Sequence, residues 1–129
     1  MINSQLQRIL YVEDEDDIRA VAELALVNVA GFELRPCASG AEALEAAESF
    51  APDMLLLDVM MPDMDGPATL RALRQIPSLA ETPAVFMTAK VQPDEVNRYL
   101  ELGAVDVIAK PFDPMSLGDQ LRNVWGRLG

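Results

Sequence analysis

Five polar side chains share one kind of position. Glu13 and Asp14 follow the apolar run Ile9-Leu10-Tyr11-Val12, Asp58 follows Met54-Leu55-Leu56-Leu57, Thr88 follows Ala84-Val85-Phe86-Met87, and Lys110 follows Val105 to Ala109. Each alone has an ordinary explanation. An acid or hydroxyl after an apolar run caps a helix or shapes a turn, and a lysine there is a solvated chain end. Gathered in one place, the set defines a chemistry. Three crowded carboxylates repel by several kcal/mol at an effective dielectric of about 20, so protons or a cation must offset them. The chain has no histidine and one cysteine, Cys37. The ligand set is therefore all oxygen, which selects a hard ion. Mg²⁺ suits it best, because it keeps several waters and pairs with phosphate. Lys110 and Thr88 then offer a charge and a hydroxyl to the oxygens of a phosphoryl group in transfer. A carboxylate in such a site can act as the nucleophile and form an acyl phosphate.

The elements that would gather these residues are legible from periodicity. Short apolar runs alternate with helical patterns, which predicts five βα units and a parallel sheet. The strands are expected at Ile9–Val12, Phe32–Arg35, Met54–Leu57, Ala84–Met87 and Val105–Ala109. The first helix places Ile18, Val21, Ala22, Ala25 and Val29 on one inward face, with Glu15, Arg19 and Glu23 left to water. Ser39 and Glu42 form a capping box for the second helix, through about Phe50. Pro67 suits the first position of the third, which carries Leu70, Leu73 and Ile76. Pro93 opens the fourth, with Val96, Tyr99 and Leu100 inward, and Gly103 closes it. Asp113-Pro114 reads as the cap and first residue of the last helix, whose face is Leu117, Leu121, Val124 and Leu128. Gly118 and Gly126 should each weaken that helix by about 1 kcal/mol relative to Ala. The continuous apolar runs suit a sheet covered on both faces. In an open parallel sheet the carboxyl ends of the strands share one edge, where ligands bind. All five polar residues fall on that edge.

Composition narrows the classes further. The chain has 129 residues, half of them hydrophobic, which fits one domain over 1–129 with a real core. Ten Lys and Arg stand against 21 Asp and Glu, for a net charge of −11. That sign disfavours nucleic acid and anionic membrane surfaces. One cysteine, no secretory signal and no long apolar run fit a reducing cytoplasm.

Four ordered segments carry a resemblance: Ile9 to Glu15, Leu56 to Gly66 (Leu-Leu-Asp-Val-Met-Met-Pro-Asp-Met-Asp-Gly), Met87-Thr88-Ala89 and Lys110-Pro111-Phe112. Together they resemble the receiver (CheY-like) domain of two-component response regulators, from about Gln7 to Leu128. The resemblance implies an α/β, flavodoxin-like (βα)5 fold with strand order 2-1-3-4-5 and helices on both faces. It implies that Asp58 accepts a phosphoryl group from a sensor histidine kinase or a histidine phosphotransfer protein. Asp14 and Asp58 would bind Mg²⁺, with Glu13 acting through water and the Met60 carbonyl as backbone ligand. Thr88 would be the switch hydroxyl and Lys110 the phosphoryl-binding lysine, joined to Pro111 by a cis bond. A downstream protein target would read the result. Such a domain catalyses only its own phosphorylation and dephosphorylation.

Two other readings are weaker. A haloacid-dehalogenase-like phosphatase needs D-x-D, and Asp58-Val59-Met60 breaks it. A binding-only pseudo-receiver usually lacks the acceptor or the lysine, and both stand here. One departure concerns signalling. Where the family places a switch aromatic, three residues before the lysine, this chain has Val107. Tyr99 and Phe112 do not occupy the matching position. The response is therefore expected mainly in Lys90 to Glu95, with less change in the fifth strand and last helix.

Overall fold

Apolar runs pair into a sheet because each strand's backbone groups need partners and its side chains need cover on both faces. The computed structural model describes residues 5–128. Five parallel strands, β1 (Arg8–Val12), β2 (Glu33–Cys37), β3 (Met54–Asp58), β4 (Ala84–Thr88) and β5 (Asp106–Ala109), lie in the order β2-β1-β3-β4-β5. The helices are α1 (Asp16–Glu23), α2 (Gly40–Phe50), α3 (Gly66–Leu73), α4 (Pro93–Glu101) and α5 (Leu117–Leu128). This is the flavodoxin-like arrangement expected from the resemblance.

Strand alternation divides the core in two. Ile9, Tyr11, Leu56, Val85, Met87 and Ile108 face α5 and the segment after α1. Leu10, Val12, Leu55, Leu57 and Phe86 face α2, α3 and α4. The central β3 and β4 are buried throughout, whereas in β5, at the sheet's edge, only Ile108 is buried. The expectation of a strand covered on both faces therefore fails for β5, because it has a neighbour on one side only.

The first helix departs from its expected phase. Beyond Glu23 it widens into a π-helical segment (Leu24–Val29), with Ala30 N–H donating to the Ala25 carbonyl at 3.0 Å. The extra residue per turn rotates the face. Ala22, Ala25 and Leu26 are buried, Ile18 is half-buried, and Val21 and Val29 are exposed. Arg19 is not simply solvated: it pairs with Asp16 at 2.6 Å and donates to the Glu13 carbonyl at 2.8 Å.

Other elements begin and end much as their signals say. Ser39 Oγ accepts from Glu42 N–H at 3.1 Å, while the Glu42 carboxylate reaches Ala38 N–H at 3.3 Å, one residue short of a closed box. Gly103 ends the turn after α4 with φ of 112°, a conformation that favours glycine. Ile76 lies past α3 but still packs, half-buried, against the core, whereas Leu100 on α4 is exposed and does not reach it as expected. Asp113 caps a turn, accepting from Met115 N–H at 2.9 Å, and α5 proper starts four residues later, at Leu117.

Candidate active site

The carboxyl ends of four strands bring the site together. Val12 pairs with Leu57, Asp58 with Met87, and Thr88 with Ala109, so β1, β3, β4 and β5 end nearly level. The ladder runs one residue further at each side. Glu13 N–H donates to the Cys37 carbonyl at 3.0 Å, and Lys110 N–H to the Thr88 carbonyl at 2.9 Å. Those bonds fix the pleat. Counting by twos from Tyr11, Leu56 and Ile108 sends Glu13, Asp58 and Lys110 to the same face.

They meet there. Lys110 Nζ donates to Glu13 Oε1 at 2.8 Å and to Asp58 Oδ1 at 2.8 Å. Glu13 is fully buried, and Asp58 keeps 3% of its surface. One ammonium thus serves two buried carboxylates, and Asp14, partly exposed, adds a third. One carboxylate oxygen from each of Glu13, Asp14 and Asp58 lies within 4.8 Å of the other two. Burial, the dominant cause, raises the Glu13 and Asp58 carboxyls above the usual range. The Lys110 hydrogen bonds pull them back only in part. Burial by itself would lower the Lys110 ammonium, but its bonds to Asp58 and Glu13 outweigh that and raise it. The site is short of positive charge, and its donors are all oxygens, a set that fits a hard divalent cation.

Thr88 follows the other parity. It shares a face with Ala84 and Phe86, is buried, and its Oγ1 accepts from Lys90 N–H at 3.0 Å. It therefore stands at the rim with its hydroxyl holding the first turn of the next loop. An open cleft of about 560 Å³ lies over Asp58 and is lined also by Ile18, Val21, Met60, Thr88, Lys110 and Phe112. Ile18 and Val21, expected in the core, instead wall this cleft. Met60 is two-thirds exposed at its mouth. The Lys110–Pro111 bond is cis.

Two contributors carried no clear sequence signal. Gly66 is one of them, at the end of the segment Leu56 to Gly66. A Cβ there would run into the Asp58 carbonyl and Val59 Cα, so only glycine lets α3 start this close to the end of β3. Gly66 N–H closes the loop on the Val59 carbonyl at 2.9 Å. Tyr11 lies two residues before Glu13 on the same face, fully buried, its hydroxyl without a hydrogen-bond partner among the described residues. Burial raises that phenol first, and the Glu13 and Asp58 charges add to it.

Comparison with known proteins agrees with this geometry. The profile of the family described as "Response regulator receiver domain" matches residues 9–122. The chain is 35% identical over 124 residues to a probable transcriptional regulator ycf27 of Porphyridium aerugineum, covering 96% of this chain and 50% of that protein. It is 37% identical over 121 residues to the transcriptional regulatory protein CseB of Streptomyces avermitilis, covering 94% of this chain and 50% of that protein. The chain thus spans about half the length of these curated relatives. Among solved structures, chemotaxis protein CheY4 of Vibrio cholerae superposes with a TM-score of 0.85 at 31% identity, covering 92% of this chain and 98% of that one. A putative response regulator from Chloroflexus aurantiacus gives 0.83 at 35% identity, covering 95% of this chain and all of that one. The chain belongs to the response regulator receiver domains, the phosphorylation-activated signalling domains of two-component systems.

Proposed function

We propose that Asp58 is the phosphoacceptor of this receiver and that residues 1–129 act as one receiver unit. The observation that carries this reading is the half-buried Lys110 ammonium bonded at 2.8 Å to both Asp58 and Glu13 at the floor of an open cleft. An Asp58 carboxylate oxygen attacks the phosphorus of a phosphohistidine on a sensor kinase or phosphotransfer protein. The P–N bond breaks, the imidazole nitrogen keeps the electron pair, and a carboxyl–phosphate bond forms. Lys110 keeps Asp58 oriented before transfer and then meets the charge on the phosphoryl oxygens. Thr88 offers its hydroxyl from the rim and changes partner when the phosphoryl group arrives. Met60 lines the cleft from which water would reach the acyl phosphate.

Asp14 and Asp58 are the carboxylates that would hold Mg²⁺ directly, with Glu13 acting through water and the Met60 carbonyl as the backbone ligand. Bound there, the ion would neutralise charge between acceptor and phosphoryl group. Removing Asp14 leaves too few charged oxygens for a hard ion. A downstream protein, unspecified in chemistry, would read the phosphorylated surface. The net charge of −11 argues against duplex DNA as this domain's own partner. No described helix is long and apolar enough to cross a membrane.

Intact-mass spectrometry with acetyl phosphate tests the reading. One phosphoryl group is expected in Mg²⁺ and none in excess chelator. Asp14→Ala should need far more Mg²⁺ for the same uptake. Uptake indifferent to Mg²⁺ and to Asp14 would refute the assignment.

A further inference from the structure

We infer that Arg19 is a positioning residue of the site: by holding the Glu13 backbone carbonyl, it sets the direction of the Asp14 carboxylate. The inference rests on the reading above, in which Asp14 and Asp58 are direct ligands of Mg²⁺.

The three carboxylates are not held alike. Lys110 Nζ fixes Glu13 Oε1 and Asp58 Oδ1 at 2.8 Å each, and Glu15 N–H donates to Glu13 Oε2 at 3.2 Å. Among the described residues no donor reaches the partly exposed Asp14 side chain. Its aim is therefore set by its backbone. The Glu13 carbonyl and the Asp14 N–H share one planar peptide unit, so whatever holds that oxygen holds the plane from which Asp14 projects. Arg19 Nη1 donates to it at 2.8 Å. Glu13 N–H is already spent on the Cys37 carbonyl, and the first bond of α1 runs from Arg19 N–H to the Glu15 carbonyl. Between ladder and helix, the Asp14 peptide is held by the Arg19 side chain.

Arg19 also stands where local physics disfavours a cation. It is the fourth residue of α1, whose dipole favours acids at this end, as at Asp16 and Asp17. Helices α2 and α3 open on a side-chain cap, Ser39 and Asp65, but Glu15 makes no such bond for α1. Arg19 instead ties the start of the helix back to β1. Its fork is divided. Nη2 pairs with Asp16 at 2.6 Å while Nη1 takes the carbonyl. Asp16 is 86% exposed, so that pair adds little stability by itself. It does orient the guanidinium, whose side chain is only 22% exposed. A guanidinium holds two acceptors in one rigid plane, which an ammonium cannot do.

Charge and geometry give opposite results here. Arg19 is a cation close to a cation site, and its charge acts on the Tyr11 phenol, two residues from Glu13 on the same face. Were it to act through charge alone, removing it would tighten Mg²⁺ binding. Because it positions Asp14, removing it weakens binding, since Mg²⁺ demands near-ideal octahedral geometry. Side chains that orient a metal ligand without touching the metal are worth about 10- to 100-fold in affinity.

Calorimetric titration of the full chain with Mg²⁺ alone tests this in wild type, Arg19→Met, Arg19→Gln and Arg19→Lys. Both neutral variants are expected to bind about tenfold more weakly. Arg19→Lys, which keeps one donor, should recover part of that loss. In metal-free protein the backbone amide of Asp14 should shift in Arg19→Gln while that of Asp58 stays, and the same spectra show that the variant is folded. With acetyl phosphate, the Mg²⁺ concentration for half-maximal uptake should rise. The rate at saturating Mg²⁺ should stay within about twofold of wild type, because Arg19 touches no reacting atom. Neutral variants that bind Mg²⁺ as tightly as wild type, or more tightly, would overturn the inference and leave the site assignment standing. Wild-type protein that binds no Mg²⁺ would overturn the site assignment, and the inference with it.

Discussion

Lys110 and Thr88 do different work, and their loss should look different. Among the described residues Lys110 is the one cation bonded to the buried Glu13 and Asp58 carboxylates. Lys110→Ala leaves two buried acids facing each other, so metal-free protein should lose about 3 kcal/mol of stability and take up phosphate poorly. Thr88→Ala removes a rim hydroxyl whose resting partner is Lys90 N–H, outside the carboxylate cluster. It should still accept phosphate but respond weakly beyond the site. Denaturant titration, phosphoryl uptake and amide shifts separate the two. Equal loss of uptake in both variants would show that the division of roles is wrong. The carboxylates and the lysine were legible at this scale because strand ends are easy to find and the pleat decides which side chains meet. Arg19 and Tyr11 were not. Arg19 reaches a backbone carbonyl, and Tyr11 looks like any apolar strand residue until its hydroxyl is seen to be buried beside Glu13, with no partner among the described residues.

Helix α5 shows why element-level reading succeeds and where it stops. Periodicity assigned its inward face, and Leu117, Leu121 and Val124 are buried as that face requires. Propensity treated Gly118 and Gly126 alike, as equal weaknesses. Tertiary packing separates them. A Cβ on Gly118 would collide with the Cβ of Ala30 beyond α1, whereas nothing lies within 4 Å of one on Gly126. Gly118→Ala is therefore expected to destabilise by about 1–3 kcal/mol, and Gly126→Ala to stabilise by about 0.5–1 kcal/mol. Thermal unfolding of the two variants checks this, and shifts of the same sign would contradict the packing. The same limit governs α1. An apolar pattern at helical spacing reads Val29 inward, but the π-helical turn after Glu23 rotates it out and brings Leu26 in. Periodicity assumes a constant pitch, and no residue type in Leu24–Val29 announces the change.

The whole molecule carries a net charge of −11 and concentrates part of it in a buried acidic site. Glu13 and Asp58 are held above the ordinary carboxylate range, chiefly by burial. The folded state therefore keeps protons that the unfolded chain has released. Metal-free stability is fully present below the ordinary range, near about pH 4, and falls as pH rises through the elevated values. The slope should reach up to about 1.4 kcal/mol per pH unit for each carboxylate. On the proposed assignment Mg²⁺ would bind the folded state and flatten that slope, as should Asp58→Asn. Denaturant midpoints against pH, in chelator and in Mg²⁺, give the comparison. Stability that climbs steadily with pH in chelator would contradict the burial argument. If Asp58 is the carboxylate that takes the phosphoryl group, site mapping must find it there. Protein treated with acetyl phosphate and Mg²⁺ is reduced with borohydride, which converts a phosphorylated aspartate to homoserine, and is then sequenced by tandem mass spectrometry. Homoserine at position 58 alone is expected, with none in Asp58→Asn; homoserine at position 14, or label undiminished in Asp58→Asn, would contradict the account.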